Sequence, residues 1–309
     1  MENRSLHYVL AIAEHQNLTK AAESLYIGQP TLSKFLSSLE QELGLKLFSR
    51  LGNRYVLTYA GERYVTRARQ ILQLEADLKA EMADIVRNDR GVLRAAFAPM
   101  RCSYLLPVVL PAFRRKYPNV RITVLEGNSA ENDRRLLAGE ADVIFYTKSA
   151  ETNPLLTYHT LGKEELLLCT SQGHPLGRYA RPAPDGGYPL IDLDHLKDEL
   201  VLLLRPTQRT RQIVDDVLRE QKLTLPNTLV TSNMMAIMGM VSKGYGVSFL
   251  LDSHLRHLTS DLKIDCYRFG SHPIVNHFVA ATRKGSYLSR YAEAFIEIVR
   301  DEWEYTSQK

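Results

Sequence analysis

"TKAAESLYIGQPTLSKFLSSLEQELG", residues Thr19 to Gly44, holds two helical patterns with almost nothing between them: one stops near Tyr26 and the next begins at "GQP". Upstream, Leu6, Val9, Leu10 and Ala13 recur at helical spacing, so a first amphipathic helix precedes the pair. Thr19 is the expected N-cap of a short second helix that buries Ala21, Ala22 and Leu25. The small residues at 21 and 22 let another helix cross close by. Pro30 fits the first turn of the third helix, where its missing N–H removes no intrahelical bond. Leu32, Leu36, Leu39 and Leu43 form the expected buried stripe, and Gly44 ends the helix. Two helices joined by so short a turn cross at a steep angle, as in a helix-turn-helix.

The outer face of the third helix carries Gln29, Pro30, Thr31, Ser33, Lys34 and Ser37, with Thr19 at the start of the helix before it. These short or flexible groups, near the N-terminus of an exposed helix, suit base edges and phosphates in a major groove. "LFSRLGNRYVLTYAGE" then places a Gly-Asn turn between two brief extended segments, a small wing whose Arg50 and Arg54 can reach phosphates. Charge agrees locally. Lys46, Arg50, Arg54, Arg63, Arg67 and Arg69 face only Glu62 between Gly44 and Arg69, although the chain as a whole is just +4. A run of this kind is also what an ordinary solvated face looks like, so it supports the helix pattern without replacing it.

On these residues the segment 1–58 resembles the winged helix-turn-helix domain of the LysR-type transcriptional regulators. The match rests on Ala21–Ala22, Leu25, Gln29–Pro30, Leu32–Ser33, Leu39–Glu40, Leu43–Gly44, Leu47–Phe48, Arg50, Leu57–Thr58 and Gly61, in ungapped order. Gly28 stands where such domains usually carry a Ser cap, a weakening of a few tenths of a kcal/mol. Phe35, Ser37 and Ser38 replace mostly polar or basic residues, so base preference does not transfer. Phe35 fits either a thymine methyl or an added core contact.

From residue 59 to 90 the pattern becomes one long helix. Tyr64, Ile71, Leu78 and Ile85 recur every seven residues, with Ala68, Leu74 and Met82 between them. A helix of this length on so narrow a stripe needs a partner, and the reading is a coiled-coil dimerisation helix. Dimerisation supplies two reading heads for a two-fold operator, and the resemblance extends this to a tetramer.

Residues 91–309 alternate strands and helices, which implies mostly parallel sheets covered on both faces. Two α/β lobes, about 91–160 with 269–309 and about 161–268, are joined by crossings near Thr147–Thr160 and Cys266–Ile274. "FRRKYPNV", "LLAGEADV", "HPL" at 174–176 and "VSKGYGVSFL" resemble the two-lobed, periplasmic-binding-protein-like (type 2) effector domain of the same family. Ligands in such lobes sit at the carboxyl ends of strands, against helix N-termini. "PMRCS", "GNS", "PTQRT" and "TSN" occupy such places, so the candidate effector set is Arg101, Cys102, Ser103, Asn128, Thr147, Thr207, Gln208 and Asn233. Capping and turn chemistry accounts equally well for any one of these positions. Arg101, a large cation ahead of a helix expected to begin near Tyr104, points to a clamp for an anionic effector.

The remaining features exclude. No Gly-rich phosphate loop, nucleophile elbow or metal-ligand spacing is present, and His159, His174 and His195 share no pattern, so neither an enzyme nor a cofactor is expected. No apolar run reaches the roughly 18 residues a membrane span needs. The opening "MENRSLHYVLAIAEHQN" is too polar for a signal core, which places the chain in the cytoplasm. Cys102, Cys169 and Cys266 suit neither a disulfide framework nor a zinc site; buried, inert thiols are the favoured reading and redox sensing the lesser one. The implied partners are double-stranded promoter DNA, a small-molecule effector, further copies of the chain and RNA polymerase. A transport-type solute-binding protein lacks the reading head. A constitutive DNA-binding regulator without an effector is the narrower alternative.

Overall fold

The computed structural model describes residues 3–52, 54–85, 91–148, 152–257, 262–270 and 272–307. The chain divides into two compact units, Met1–Asn88 with Leu137–Glu140 and Gly285–Ser289, and Asp89–Leu136 with Ala141–Lys284 and Arg290–Lys309.

In the first unit α1 (Asn3–His15), α2 (Leu18–Ser24) and α3 (Gln29–Leu43) are followed by the hairpin β1 (Phe48–Leu51) and β2 (Arg54–Leu57), then by α4 (Tyr59–Ile85). The periodic apolar residues do what their spacing asks: Val9, Ile12, Ala21, Ala22, Leu32, Leu36 and Leu39 form one buried cluster with Leu47 and Phe48. Two local expectations change, and one open choice is decided. Asn17, not Thr19, caps α2, accepting from the backbone N–H groups of Thr19 and Lys20. Leu43 is 36% exposed, because the helix has already turned away from the core at its last residue. Phe35 packs edge-on against Tyr8 at 5.0 Å, so it is a core contact. Gly28 opens α3 without a side-chain cap, and Gly44 closes it at φ 63°, where a Cβ would be strained.

Buried Glu40 ties α3 to the hairpin. Its carboxylate accepts the backbone N–H groups of Leu47 at 2.8 Å and Phe48 at 3.1 Å, and pairs with Lys46 at 2.7 Å. Along α4, Tyr64 and Ala68 turn inward, Tyr64 against the helix-turn-helix core. Ile71, Leu74, Leu78 and Met82 stay exposed at spacings of three and four, a continuous apolar face on one chain. The side chain of Ile85 and the expected continuation to Arg90 lie outside the described residues.

The second unit runs β3 (Gly91–Phe97), α5 (Pro99–Lys116), β4 (Val120–Glu126), α6 (Ser129–Leu137), β5 (Val143–Thr147), β6 (Leu156–Ser171), β7 (Leu190–Ile191), β8 (Val201–Leu204), α7 (Arg209–Glu220), β9 (Thr228–Thr231), α8 (Met234–Ser242), β10 (Val247–Leu251), α9 (Asp252–His257), β11 (Ile264–Phe269), β12 (Val275–Arg283) and α10 (Arg290–Ser307). The strands follow the path β4-β3-β5-β12-β6-β10-β8-β9, with β11 pairing β6 and β7 off it. Pairing is parallel among β4, β3 and β5 and among β9, β8 and β10; β12 and β6 are antiparallel to their neighbours on this path. In the second lobe alternate residues face opposite sides of the sheet. Leu166, Leu168, Leu203 and Phe249 enter one cluster, and Leu167, Cys169, Leu202 and Leu250 the other. In the first lobe Phe97 stacks on Phe145 at 4.7 Å, with Phe295 edge-on to both.

The lobes share β6. Its first part pairs with β12 as far as Glu165, and Leu166 onward pairs with β10 and β11. The first crossing therefore falls within one strand, later than the 147–160 expected from sequence. Upstream of the crossing, a register shift between Thr160 and Gly162, opposite Phe278 and Val279, sits beside Gly162, whose missing Cβ makes room for the Trp303 indole.

Candidate functional site

Two surfaces follow from this architecture. On the first unit Gln29, Pro30, Thr31, Lys34 and Ser37 of α3 are exposed, as are Thr19, Arg50 and Arg54; Ser33 is half-buried. The Arg50 guanidinium donates to the Gly52 carbonyl at 3.3 Å, which holds it along the hairpin. Tyr26, in the turn between α2 and α3, is 96% exposed at φ 55°. From sequence it marks only the point where α2 stops. The structure leaves an almost bare aromatic in the turn that leads into α3.

On the second unit a cavity of about 440 Å³ lies between the lobes. Its walls include the first turns of α5, α6 and α7, with Ser232 and Met234 at the start of α8. Of the expected effector residues, Arg101, Asn128, Thr147, Thr207 and Gln208 line it, whereas Cys102, Ser103 and Asn233 are not in its wall. Helix α5 already begins at Pro99, so Arg101 and Ser103 belong to its first turns rather than to a loop, and Ser103 points to solvent. Asn233 is the N-cap of α8, accepting from the Ala236 N–H. Burial pushes the Cys102 thiol up to about 12.

Arg101 requires the main correction. Its guanidinium is 2% exposed and bonds both carboxylate oxygens of Glu164 at 2.7 Å, Thr147 Oγ1 at 2.8 Å and Tyr104 Oη at 2.9 Å. The ring of Phe278 lies 4.0 Å from it and that of Trp303 5.5 Å. Burial alone would push the Glu164 carboxyl up, but the adjoining guanidinium outweighs this and holds it below the usual carboxylate range. Ser253 Oγ on α9 also donates to Glu164, so the network spans the lobes. A cation so neutralised is a structural strut, not a clamp awaiting an anion. Thr147 belongs to the same network, its hydroxyl donating to Glu164.

Other groups give the cleft its chemistry. Gln208 Nε2 donates to the Ser232 carbonyl and its Oε1 accepts the Arg205 N–H, both at 3.1 Å, so it braces the loops ahead of α7 and α8. Asn128 Oδ1 accepts the Glu131 N–H at 3.0 Å and caps α6. Helix α7 has no side-chain cap, leaving its first amides open at the cleft. Arg205, at the end of β8, is exposed in the wall, and no side-chain partner is seen for it among the described residues. The sequence holds the signal, the first charged residue after "LVLLL", at a strand's carboxyl end. Tyr146 Oη donates to Asp133 at 2.9 Å; burial and the carboxylate push the phenol up.

Comparisons with known proteins match both parts of the chain. Residues 3–62 match the family described as "Bacterial regulatory helix-turn-helix protein, lysR family", and residues 87–304 match "LysR substrate binding domain". The chain is similar to the uncharacterised HTH-type regulator YwbI of Bacillus subtilis, 32% identical and covering 96% of this chain and 95% of that protein. It is also similar to the transcriptional activator CmpR of Synechocystis, 27% identical over 96% and 95%. Among solved structures, a full-length cysteine-to-aspartate variant of OxyR from Pseudomonas aeruginosa matches with a TM-score of 0.74 and 25% identity, covering 98% and 95%. CbnR in complex with its target DNA shares the fold at a TM-score of 0.62 and 24% identity, covering 97% and 99%. With a reading head and a two-lobed cleft each matched in order over nearly its whole length, the chain belongs to the LysR family of DNA-binding transcriptional regulators, and its work is regulation rather than catalysis.

Proposed function

We propose that this regulator binds promoter DNA as a dimer paired through α4, and that a small molecule bearing an anionic group occupies the cleft and alters the grip on DNA. The observation that carries the effector reading is the uncapped N-terminus of α7 beside Arg205 in the cleft wall. Open amides and a guanidinium at one end of a cavity favour a carboxylate, phosphate or sulfate, and the helix dipole adds to both. Thr207 and Ser232 add hydroxyls, while Met100, Leu204 and Met234 offer an apolar wall to the rest of the ligand. The bound form would move the reading heads through the effector unit, and RNA polymerase would be the recipient of the change.

The test is thermal melting of the purified protein with a panel of small carboxylates and phosphates, each beside its neutral amide or alcohol counterpart. A selective rise in Tm for one anion, lost in Arg205→Ala, is expected. No response to any member would favour the constitutive regulator. A response undiminished in Arg205→Ala would move the anion site elsewhere in the cleft.

A further inference from the structure

Cys169 and Cys266 are 97 residues apart in sequence and face each other across the sheet. They are directly opposed partners in the antiparallel pairing of β6 and β11, and their Sγ atoms are 3.5 Å apart. Opposed antiparallel residues have Cα atoms about 4.5–5.5 Å apart, inside the roughly 4.4–6.8 Å that a disulfide tolerates. The thiols therefore need only a side-chain rotation to bond, with no backbone movement. Cys169 is fully buried among Leu202, Met238 and Leu250, whereas Cys266 is half-buried. Of the two, Cys266 is the sulfur a small oxidant meets first.

We propose that Cys169 and Cys266 form a reversible disulfide that staples β11 to β6. The pairing is a matter of geometry in the second lobe and is independent of which ligand the cleft takes. With a peroxide as oxidant, the Cys266 sulfur attacks one peroxide oxygen; the O–O bond breaks, giving a sulfenic acid and one water. The Cys169 sulfur then attacks the Cys266 sulfur and displaces the hydroxyl as a second water, with the Cys169 proton. Two thiols lose two electrons in all, and the peroxide gains them. Burial pushes the Cys169 thiol well up, so this second step is slow near neutral pH and quickens as pH rises.

The bond would close across the second lobe, joining the strand shared by both lobes to the strand that precedes the return crossing. It would also fix the sheet face on which Met234 and Met238 of α8 pack, and Met234 is part of the cleft wall. In a reducing compartment such a bond is transient and regulatory rather than structural.

The experiment treats the full-length protein with hydrogen peroxide, blocks residual thiols with iodoacetamide and maps the digest by mass spectrometry. The expected product is a single cross-linked peptide pair joining Cys169 to Cys266, two hydrogens lighter than the reduced pair and reversed by dithiothreitol. Cys102 remains alkylatable only on unfolding. Cys266→Ser should abolish the cross-link, and Cys169→Ala, which keeps a small apolar group in the core, should do the same. Circular dichroism establishes that both variants are folded. The oxidised wild type should melt at a higher temperature than the reduced protein, with no such difference in either variant. Recovery of Cys266 as sulfinic acid with Cys169 still a thiol would overturn the proposal, as would two free thiols after peroxide has fully oxidised added dithiothreitol.

Discussion

Arg101 of the first lobe and Glu164 of the shared strand form an ion pair in which the arginine Nη2 bridges both carboxylate oxygens at 2.7 Å and neither side chain reaches solvent. The pair stands at the back of the cleft, where the sequence leads one to expect an effector clamp. Its charge is already balanced, so its role is to hold α5 and β6 together beneath the cavity.

Removing one member should therefore be a folding defect. Arg101→Ala strands a carboxylate in the interior, a loss of about 3–5 kcal/mol. The paired change Arg101→Met with Glu164→Leu should be far milder than either half alone. Urea denaturation of Arg101→Ala, the two single halves and the double variant checks the order, and an Arg101→Ala protein as stable as wild type would dismiss the strut. The pH dependence has a definite sign. Since the folded carboxyl titrates below its ordinary 4.5, its contribution is present above that value and is lost as pH falls through the folded one. Below about pH 4.5 wild type should lose stability more steeply than Glu164→Gln.

If Arg50 serves the phosphate role proposed for the wing, Arg50→Glu should weaken binding to every sequence and flatten the salt dependence. Gln29→Ala should instead lose about 1–3 kcal/mol of discrimination at particular base pairs. Gel shifts on an operator and a scrambled duplex across a salt series separate the two. A uniform loss in both variants would take Gln29 out of base readout.

Leu78, 56% exposed on the isolated chain, lies midway along the apolar face of α4. In the proposed dimer, Leu78→Asp would place an unpaired carboxylate between two such faces, which costs several kcal/mol once desolvated. Light scattering should show dissociation, with operator affinity falling alongside it while the circular dichroism spectrum persists. An intact dimer with native affinity would mean that α4 is not the seam.

Gly162 tests the shared strand. An added Cβ would collide with the Trp303 indole nitrogen, so Gly162→Ala should destabilise by about 1–3 kcal/mol or more. Trp303→Phe, which removes the colliding edge, should recover part of that loss in the double variant. Additive effects in thermal melts would show that the close approach is not what requires glycine.

Most of the fold can be read from the chain because its signals are local. The stripe Leu32, Leu36 and Leu39, the stop at Gly44 and the turn before Arg54 are all set by neighbours within one or two turns. What escapes is non-local. Glu164 is 63 residues from Arg101, and nothing near Arg101 announces that its charge will be met. Asn17 takes the cap from Thr19 because both residue types suit that position and only tertiary packing sets where α2 begins. The Cys169–Cys266 contact depends on a strand register that spacing does not reveal. Arg205, by contrast, is legible from its place after a buried strand, yet on sequence alone Arg101 occupies an equivalent place and draws the eye first.

Because β6 runs unbroken through both halves of the sheet, the second unit has no seam along which it can be cut. A gene split at the crossing would leave each fragment with an unpaired edge and half a strand. Neither piece should fold in isolation, and the intact unit should come apart in one cooperative transition in spite of its separate hydrophobic clusters. For an engineer turning the cleft into a fluorescent reporter, inserted domains belong in surface turns such as the one at Gly186, while the two-fragment designs that suit loosely hinged proteins are closed off by this strand.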